Sequence, residues 1–442
     1  MISLRRFAPV AIASLTAALA ASDLRAQAAT PATVVLKAAR MITMASPSLI
    51  ADAVIVVTGD KIVSAGGASA VSVPPGARVI DLGDVTLLPG FIDTHTHIIG
   101  RTLGDPQGEV AAVKDYRAYG AILGVENARK TLTAGFTSIR VVGTYGFDDV
   151  ALSQAINDGR AVGPRIEAGG HALSITGGHC DSNGWSPGLL EAGLKEGIAD
   201  GPDQVRAAVR YQVKYGASVI KACATGGVLS EGDAVGATQY TYEEMKAIVD
   251  EATKLERKVA AHAHGTEGIK IATRAGVASI EHGSFLDQEG ARMMAQRGTY
   301  LVPTMMPGAA IEGFVKNGVL KGLRAEKGLA ASAGARKALK LAVANRVPIA
   351  LGTDAGVIPH GTNAREFALM VELGGMTPIA SLTAGTMNAA KLLGWENRVG
   401  SIAAGKLADI VAVQGNPLED IRRTQQVTFV MKNGVIYKGG AQ

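Results

Sequence analysis

Two histidines separated by one residue stand at the end of an apolar segment near position 90. The segment, Pro89-Gly-Phe-Ile-Asp-Thr-His-Thr-His97, predicts a buried strand. Successive side chains of a strand alternate between its faces, so His95 and His97 point the same way. Two imidazoles on one face at the end of a buried strand can bind one metal ion. The alternative is a pair of ordinary surface histidines, and the rest of the chain decides between the two interpretations.

Further side chains of metal-ligand or acid–base type follow other apolar segments. They are Lys221, His262, His264, Glu281, His282 and Asp354. Lysine is the exception, because an ammonium group with a pKa of about 10.4 is repelled by a metal ion. It can join a metal site only when it is deprotonated or converted by CO2 to a carbamate, which is an anionic oxygen ligand. The alternative is a buried lysine paired with Asp354 or Glu281.

The chain between residues 89 and 399 alternates between apolar strands and amphipathic helices, which is typical of a parallel α/β fold. The predicted strands are Phe91–His97, Phe136–Val141, Arg165–Ala168, Val219–Cys223, Val259–His264, Ser279–His282, Tyr300–Thr304 and Pro348–Thr353. A capping box, Thr241-x-x-Glu244, predicts a helix to about Arg257, and Thr377 with Pro378 predicts another helix start. We therefore expect a (β/α)8 TIM-type barrel, in which chemistry is found where the strands end. The alternative is a doubly wound open sheet, but no Gly-x-Gly-x-x-Gly turn follows the first strand.

Both ends of the chain carry short strand patterns separated by turns. They occupy residues 33–88 and return from Asp409 onwards, where Lys432-Asn-Gly434 between two apolar segments predicts a hairpin. Neither end has enough strands to bury a sheet face alone. We expect residues 29–88 and 400–442 to form one small composite β-sandwich domain beside a barrel of residues 89–399.

The first 28 residues have the pattern of a secretory signal peptide. Arg5 and Arg6 precede the apolar segment from Phe7 to Ala21, and Ala26-Gln-Ala28 is a cleavage site. The apolar segment is short for a membrane span, although an uncleaved anchor is the alternative. We expect a periplasmic or secreted protein that makes no membrane contact after signal cleavage.

The composition excludes one class of partner. A formal net charge of +5 without a run of basic residues, and an aromatic content of 4%, do not support nucleic-acid binding. The two cysteines, Cys180 and Cys223, form no disulfide framework, although one bridge is possible. Cys223 shares a strand face with Lys221, and we interpret it as small barrel packing.

Several motifs resemble one family closely. They are the His95-Thr-His97 segment, Leu351-Gly-Thr-Asp-Ala-Gly356, Thr386-Met-Asn-Ala-Ala-Lys-Leu-Leu-Gly394 and Gly400-Ser-Ile-Ala-Ala-Gly-Lys-Leu-Ala-Asp409. Together with Lys221 and His262 they resemble the binuclear amidohydrolase superfamily over essentially the whole predicted mature chain. Within that superfamily, the chain resembles the branch of imidazolonepropionase-related carboxypeptidases and Xaa-Pro dipeptidases, which includes ochratoxin-hydrolysing amidases.

The resemblance implies a role for each candidate. The implied metal ligands are His95, His97, Lys221, His262, His282 and Asp354. The first two histidines and the aspartate would hold the more buried of two divalent ions, with zinc as the default metal, and the other two histidines would hold the second. Carboxylated Lys221 and a hydroxide would bridge them. Asp354 would act as general base and then acid, and His264 would stand beside the substrate.

The sequence gives less information about the residues that contact the substrate. The resemblance implies that His179 faces the substrate, whereas His171 is equally consistent with a structural histidine, and Tyr145 could bind a carboxylate or simply pack. The chain departs from the family pattern at Val141, where many relatives have Asp, and at Cys180, where Gly is usual. Both departures lie beside the expected pocket and bear on the substrate more than on the metals.

We expect a metal-dependent amidohydrolase that cleaves the amide bond to a C-terminal amino acid, in an N-acyl amino acid, a dipeptide or an ochratoxin A-type substrate. The released amino acid is expected to be apolar, because the loops offer few cations. The alternatives are a cyclic-amide or lactone hydrolase using the same metals and a non-catalytic binding protein on this scaffold. Relatives in the branch often form large homo-oligomers, so we expect one here, such as an octamer.

Overall fold

The computed structural model describes residues 32–440. The predicted signal peptide lies outside the described residues. Within residues 32–440, no helix is both long enough and apolar enough to cross a membrane.

The described chain folds into strands and helices in the order that the sequence pattern predicts. The strands are β1 (Thr33–Ile42), β2 (Leu49–Thr58), β3 (Lys61–Gly67), β4 (Arg78–Asp81), β5 (Val85–Pro89), β6 (Phe91–Thr96), β7 (Phe136–Val141), β8 (Arg165–Ala168), β9 (Val219–Cys223), β10 (Lys258–Ala263), β11 (Ser279–His282), β12 (Tyr300–Val302), β13 (Ile410–Gln414), β14 (Val427–Lys432) and β15 (Val435–Lys438). The helices are α1 (Ala111–Lys114), α2 (Arg117–Thr133), α3 (Asp148–Asn157), α4 (Pro202–Lys214), α5 (Tyr242–Lys254), α6 (Thr266–Ala275), α7 (Gln288–Arg297), α8 (Met305–Lys316), α9 (Gly322–Ala344), α10 (Arg365–Glu372), α11 (Pro378–Thr383) and α12 (Ala389–Leu393).

Strands from both ends of the chain form one sheet. Its order is β15-β14-β13-β5-β1-β2-β3, and β4 pairs with β1. The two ends share a core in which Leu36 and Ile55 pack with Ile410 and Phe429, all fully buried. The predicted hairpin is confirmed, because β14 and β15 pair antiparallel around the turn at Asn433. The burial of apolar surface therefore depends on strands from both ends of the chain.

The central part of the chain forms a closed ring of parallel strands. Strands β6, β7 and β8 pair in one group, and β9, β10, β11 and β12 pair in another. Single bridges join the groups: Leu173 to Ala222 on one side, and Leu301 to Ile349 and Thr96 to Ala355 on the other. The expected fold class, a (β/α)8 barrel with a small β-domain, is confirmed.

The eighth strand is the main correction to the predicted elements. The segment predicted as Pro348–Thr353 forms only isolated bridges, and the backbone N–H of Thr94 donates to the carbonyl of Leu351 at 2.9 Å. A side chain at Gly352 would come within 2.7 Å of the Cβ of His95. Glycine is therefore required where this segment packs against β6.

Three strands end earlier than predicted. Strand β6 ends at Thr96, β10 at Ala263 and β12 at Val302. Consequently His97, His264 and Thr304 lie at the start of loops at the carboxyl end of the barrel. The capping box is confirmed, because the hydroxyl of Thr241 accepts a hydrogen bond from the N–H of Glu244, and α5 ends at Lys254 rather than near Arg257.

A buried ion pair connects the barrel to the β-domain. Arg165 of β8 donates to Asp409 at 2.9 Å and to the side chain of Asn433 at 2.6 Å. The Asp409 carboxylate also accepts from the backbone N–H of Asn433 at 2.9 Å. Both charged side chains are at least nine-tenths buried, so neither carboxylate nor guanidinium can regain full hydration if its partner is lost.

Replacing Arg165 with alanine is expected to destabilise the protein by about 3 to 5 kcal/mol, the usual cost of leaving one member of a buried pair without its partner. The free energy of unfolding in urea measures this loss. The matched control is Arg206→Ala, since Arg206 pairs with the fully exposed Asp203 and its loss should leave stability nearly unchanged. Equal effects of the two substitutions would contradict the assigned role of Arg165.

Candidate metal centre and active site

The loops at the carboxyl end of the barrel enclose a cavity of about 400 Å³. All of the residues predicted for the site line it, namely His95, His97, Tyr145, His171, His179, Lys221, His262, His264, His282 and Asp354. The strands and the loops that follow them therefore bring together side chains that are up to 259 positions apart in the sequence.

One group of three potential ligands consists of His95, His97 and Asp354. The Oδ1 atom of Asp354 lies 3.6 Å from Nε2 of His95 and 3.4 Å from Nε2 of His97. These distances are long for hydrogen bonds. They match the edge of a tetrahedron around an ion with ligands at about 2.1 Å, which is about 3.4 Å. The group therefore fits a divalent cation.

The two histidines of this group are oriented through their other ring nitrogen. Nδ1 of His95 lies 2.7 Å from the Glu281 carboxylate, which also accepts from Arg140 at 2.8 Å. Nδ1 of His97 lies 3.1 Å from the carbonyl oxygen of Gly143. Each Nδ1 must donate to its oxygen partner, so each Nε2 keeps its lone pair for a ligand.

A second group consists of His262, His264 and His282, each of which offers a nitrogen to the same region. Nδ1 of His264 lies 2.8 Å from the hydroxyl of Ser284, and Nδ1 of His282 lies 2.7 Å from that of Thr304. The Nε2 of His262 instead faces a backbone carbonyl at 3.4 Å. The three rings contact one another, with centroids 4.7 to 4.9 Å apart.

Burial keeps these imidazoles neutral. It lowers the pKa of His95, His262 and His282 well below the usual value, and it lowers that of His264 to about 3. Neutral imidazole is the form that binds a metal. Burial also raises the pKa of the Asp354 carboxyl, an effect that the neighbouring His97 opposes.

Lys221 is buried beside both groups. Among residues 32–440 no carboxylate lies within 4 Å of its Nζ, and Glu281 is paired instead with His95 and Arg140. The pairing of Lys221 with Asp354 or Glu281 is therefore not realised as a direct ion pair. Burial lowers the pKa of Lys221 to about 8, although the charges of both carboxylates oppose this shift.

A network around Asp93 fixes the backbone that carries Asp354. One oxygen of Asp93 accepts from the N–H groups of His95 and Thr353, both at 3.1 Å. The other accepts from the Thr353 hydroxyl and from Asn363 at 2.8 Å. Asp354 itself has a left-handed backbone with φ of 59°, which a non-glycine residue rarely adopts unless its surroundings impose it.

His179 packs on the second group of histidines. Its ring stacks on that of His262 with centroids 4.1 Å apart, and its Nδ1 lies 2.9 Å from the hydroxyl of Ser230. The Ser230 hydroxyl donates to Asp233 at 2.7 Å, and Asp233 pairs with the buried Lys327 of α9 at 2.9 Å. This chain of contacts leaves Nε2 of His179 for the cavity.

His171 and Tyr145 stand at the other side of the cavity. Nε2 of His171 accepts a hydrogen bond from the backbone N–H of Gly146 at 3.0 Å, so this imidazole holds the loop after β7. The ring of Tyr145 contacts that of His171, and 69% of its surface is exposed. Tyr145 is thus free to contact a ligand at the cavity entrance.

The two cysteines form a disulfide, with Cα atoms 6.2 Å apart. The interpretation of Cys223 as simple barrel packing is therefore wrong. Strand alternation places Cys223 on the face of Lys221, and the loop that follows β8 crosses β9 and brings Cys180 to it. The other departure from the family pattern, Val141, is buried in the barrel core.

Sequence reasoning missed the partners that orient the ligands. Asp93 offered a signal, because it stands two residues before His95 within the same motif and therefore on the same strand face. Arg140 and Thr304 offered a weaker signal as polar residues at or just after predicted strands. Ser230, Asp233 and Lys327 had none, since they meet only through the fold.

Comparisons with known proteins agree with this site. The model of the amidohydrolase family matches residues 86–437. The ochratoxinase of Aspergillus niger is 38% identical over 382 residues, which cover 80% of this chain and 76% of that protein. The solved structure of a Xaa-Pro dipeptidase with methionine bound in its active site is 38% identical, with a TM-score of 0.87, and the match covers 92% of this chain and 100% of that one. A prolidase complexed with N-methylphosphonate-L-proline is 31% identical, with a TM-score of 0.84 and coverage of 92% and 99%.

The family match spans the barrel and the C-terminal strands of the β-domain, and it includes the two histidine-rich groups at the mouth of the barrel. The chain therefore belongs to the amidohydrolase family, whose members are metal-dependent, and it is a hydrolase that acts on carbon–nitrogen bonds.

Proposed function

We propose that this chain is a binuclear metal-dependent amidase that releases a C-terminal amino acid from an amide substrate. The observation that carries the proposal is the arrangement of two groups of potential ligands around the buried Lys221, which has no carboxylate partner within ion-pair distance among residues 32–440. A single metal ion would account for only one of the two groups of potential ligands. Two divalent ions account for the group of His95, His97 and Asp354 and for His262 and His282 of the second group, with Lys221 buried beside both.

A carboxylated Lys221 completes this arrangement. A buried ammonium without a paired anion is costly, whereas a lysine whose pKa falls to about 8 loses its proton easily and can then react with CO2. The carbamate would carry one negative charge shared by two oxygen atoms, and these oxygens could serve as metal ligands. Zinc is the proposed metal, because imidazole and carboxylate are its usual ligands.

Each residue of the site has a proposed role in hydrolysis. His95, His97 and Asp354 would hold one ion, His262 and His282 would hold the other, and Lys221 would contribute to both. When bound, two adjacent divalent cations would lower the pKa of water, which gives a nucleophile at neutral pH, and would polarise the substrate carbonyl. Asp354 accepts the proton of the nucleophile and delivers it to the leaving amine. His264, which is held by Ser284, stands beside the substrate carbonyl.

The cavity favours an apolar substrate. Helices α8 and α9 supply one wall, with Ile311, Phe314 and Ala331 facing the cavity. The guanidinium of Arg101, which also lines the cavity, is already bonded to Asp105 and Asp115. These features support an apolar amino acid or aryl group, in keeping with the ochratoxinase and methionine-bound dipeptidase among the relatives.

We also propose that the chain is exported after cleavage near Ala29 and assembles into a homo-oligomer. The signal-peptide pattern of the first 28 residues supports the proposed export. The proposed assembly is supported by exposed apolar side chains at the start of α2 and along it, which are Tyr116, Tyr119, Ile122 and Val125. Exposed apolar side chains that lie near one another are typical of a surface that packs against a protein partner.

A substrate panel tests the proposed activity. Purified protein is incubated with N-acyl amino acids, Xaa-Pro and other dipeptides, ochratoxin A and a lactone, and amino acid release is measured. We expect release from amides with apolar amino acids. Asp354→Asn should reduce the rate by about 10²- to 10⁴-fold, because the acid–base group is lost, whereas Asp203→Asn, on the exposed surface, should not.

Three outcomes would contradict the proposal. Hydrolysis of the lactone alone would favour the alternative of a lactone or cyclic-amide hydrolase. A wild-type rate for Asp354→Asn would remove that residue from proton transfer. A folded, metal-loaded protein that cleaves nothing in the panel would favour a binding protein on this scaffold.

Glu281→Gln is expected to weaken metal binding by about 10- to 100-fold, the usual effect of losing a partner that orients a ligating histidine. The carboxylate is the acceptor for His95 and Arg140, and the amide can serve only one of them well. Competition with a chelator measures the affinity, and circular dichroism confirms folding. The control is Glu289→Gln, whose exposed side chain pairs with Lys270. Equal affinity in both variants would contradict the role of Glu281.

A further inference from the structure

The single disulfide of the described chain joins two segments of the active site. Cys180 directly follows His179 in the loop after β8, and Cys223 is the last residue of β9, two positions beyond Lys221. Cys180 lines the cavity, whereas Cys223 is fully buried beneath it. The covalent bond therefore lies between a residue proposed to face the substrate and a residue proposed to bind metal.

The loop that carries His179 is bonded mainly at its base and to itself. At the base, the N–H of Leu173 donates to the carbonyl of Lys221, and the N–H of Cys223 donates to that of Leu173, both at 2.8 Å. At the tip, Asp181 accepts from the N–H of Gly177, and Asn183 donates to the carbonyl of Gly178. Bonds within the tip shape it but do not attach it to the barrel.

Attachment of the tip comes from contacts around His179. The backbone N–H of His179 donates to the side chain of Gln239 at 3.0 Å, and its ring is held by Ser230. Both partners belong to the loop after β9, which is itself a surface loop. The ring of His179 also stacks on His262 of β10. The disulfide is the covalent bond between this tip and a barrel strand, at the position next to His179.

We propose that the Cys180–Cys223 disulfide is a positioning clamp: it holds His179 over the metal centre, and its reduction lowers turnover while the metals stay bound. The inference rests on the proposed function, because His179 matters only if a substrate occupies the cavity. Cys180 and Cys223 touch no reacting atom in this account and act through the placement of His179.

The chemistry of opening the clamp is simple. A trialkylphosphine attacks the sulfur of Cys180, which is reached from the cavity, and the bond to Cys223 breaks. Water supplies the oxygen of the phosphine oxide and the two protons of the thiols, so one phosphine and one water convert one disulfide to two thiols. Mild oxidation by an oxidised dithiol reverses the change.

The experiment uses the full mature protein in its oxidised form, after reduction with tris(2-carboxyethyl)phosphine, and after reoxidation. Free thiols, bound metal, the thermal midpoint, kcat and KM are measured on each sample. Cys180→Ser/Cys223→Ser, treated in the same way, is the matched control, because it cannot respond to the phosphine through a disulfide. It therefore separates opening of the clamp from removal of metal by the reagent.

The clamp predicts a fall in kcat on reduction of up to about 100-fold, the scale of loss when a positioning group moves by about 1 Å. The metal content should stay constant, two thiols should appear, and reoxidation should restore kcat. The double variant should have a low kcat that the phosphine does not change. A thermal midpoint that falls alone would indicate a purely structural bond.

Three results would overturn the inference. These are an unchanged kcat once both thiols titrate, a loss of metal in parallel with kcat, or no free thiol on reduction because no disulfide was present. Failure of the proposed function is separate, because the oxidised wild type would then hydrolyse none of the amides, while its thiol count would still show whether the bond forms.

Discussion

Ionisable side chains that are buried together must be bonded, paired or coordinated, because an isolated buried charge or an unsatisfied polar group is costly. At the mouth of this barrel each histidine of the first group gives one ring nitrogen to a protein partner, which is Glu281 for His95 and a backbone carbonyl for His97. The other nitrogens face Asp354 at distances too long for good hydrogen bonds. This arrangement leaves the facing nitrogens and the carboxylate available as ligands, and the proposal of two metal ions rests on it.

The surrounding fold keeps these groups in place. Asp93 ties β6 to the segment that bears Asp354, whose backbone is held in a left-handed conformation. Arg140 is fully buried and bonds both Glu281 and the carbonyl of Thr94, so one guanidinium braces three strands. The eighth segment of the barrel forms only isolated bridges, and its backbone at Gly352 closely approaches His95.

Much of the fold and of the ligand set could be predicted from the sequence, because both follow local rules. Alternation along a strand placed His95 and His97 on one face, and apolar segments of strand length gave β7, β8, β9 and β11 with the observed bounds. The carboxyl ends of parallel barrel strands lie at one end of the barrel, so the polar residues at these strand ends were expected to lie close together. The resemblance to a known family supplied the roles that spacing alone left open.

What the sequence did not reveal depends on contacts between distant segments. The disulfide could be predicted only if the course of the loop after β8 were known. The series of contacts from Lys327 to His179 likewise depends on how α9 packs against the loop after β9. The pairing of Lys221 was also undetermined, since only the fold shows that Glu281 is committed to His95 and Arg140. Side chains that orient ligands have no fixed spacing from them, and therefore no sequence pattern.

The central claim is that the two groups of ligands hold two ions with a modified Lys221 between them. The most direct measurement is a crystal structure of the zinc-loaded protein with anomalous scattering recorded at the zinc edge. The account predicts two anomalous peaks, one at His95, His97 and Asp354 and one at His262 and His282, with electron density for a carboxylate on Nζ of Lys221. A single peak, or an unmodified Lys221 beside two occupied sites, would contradict it.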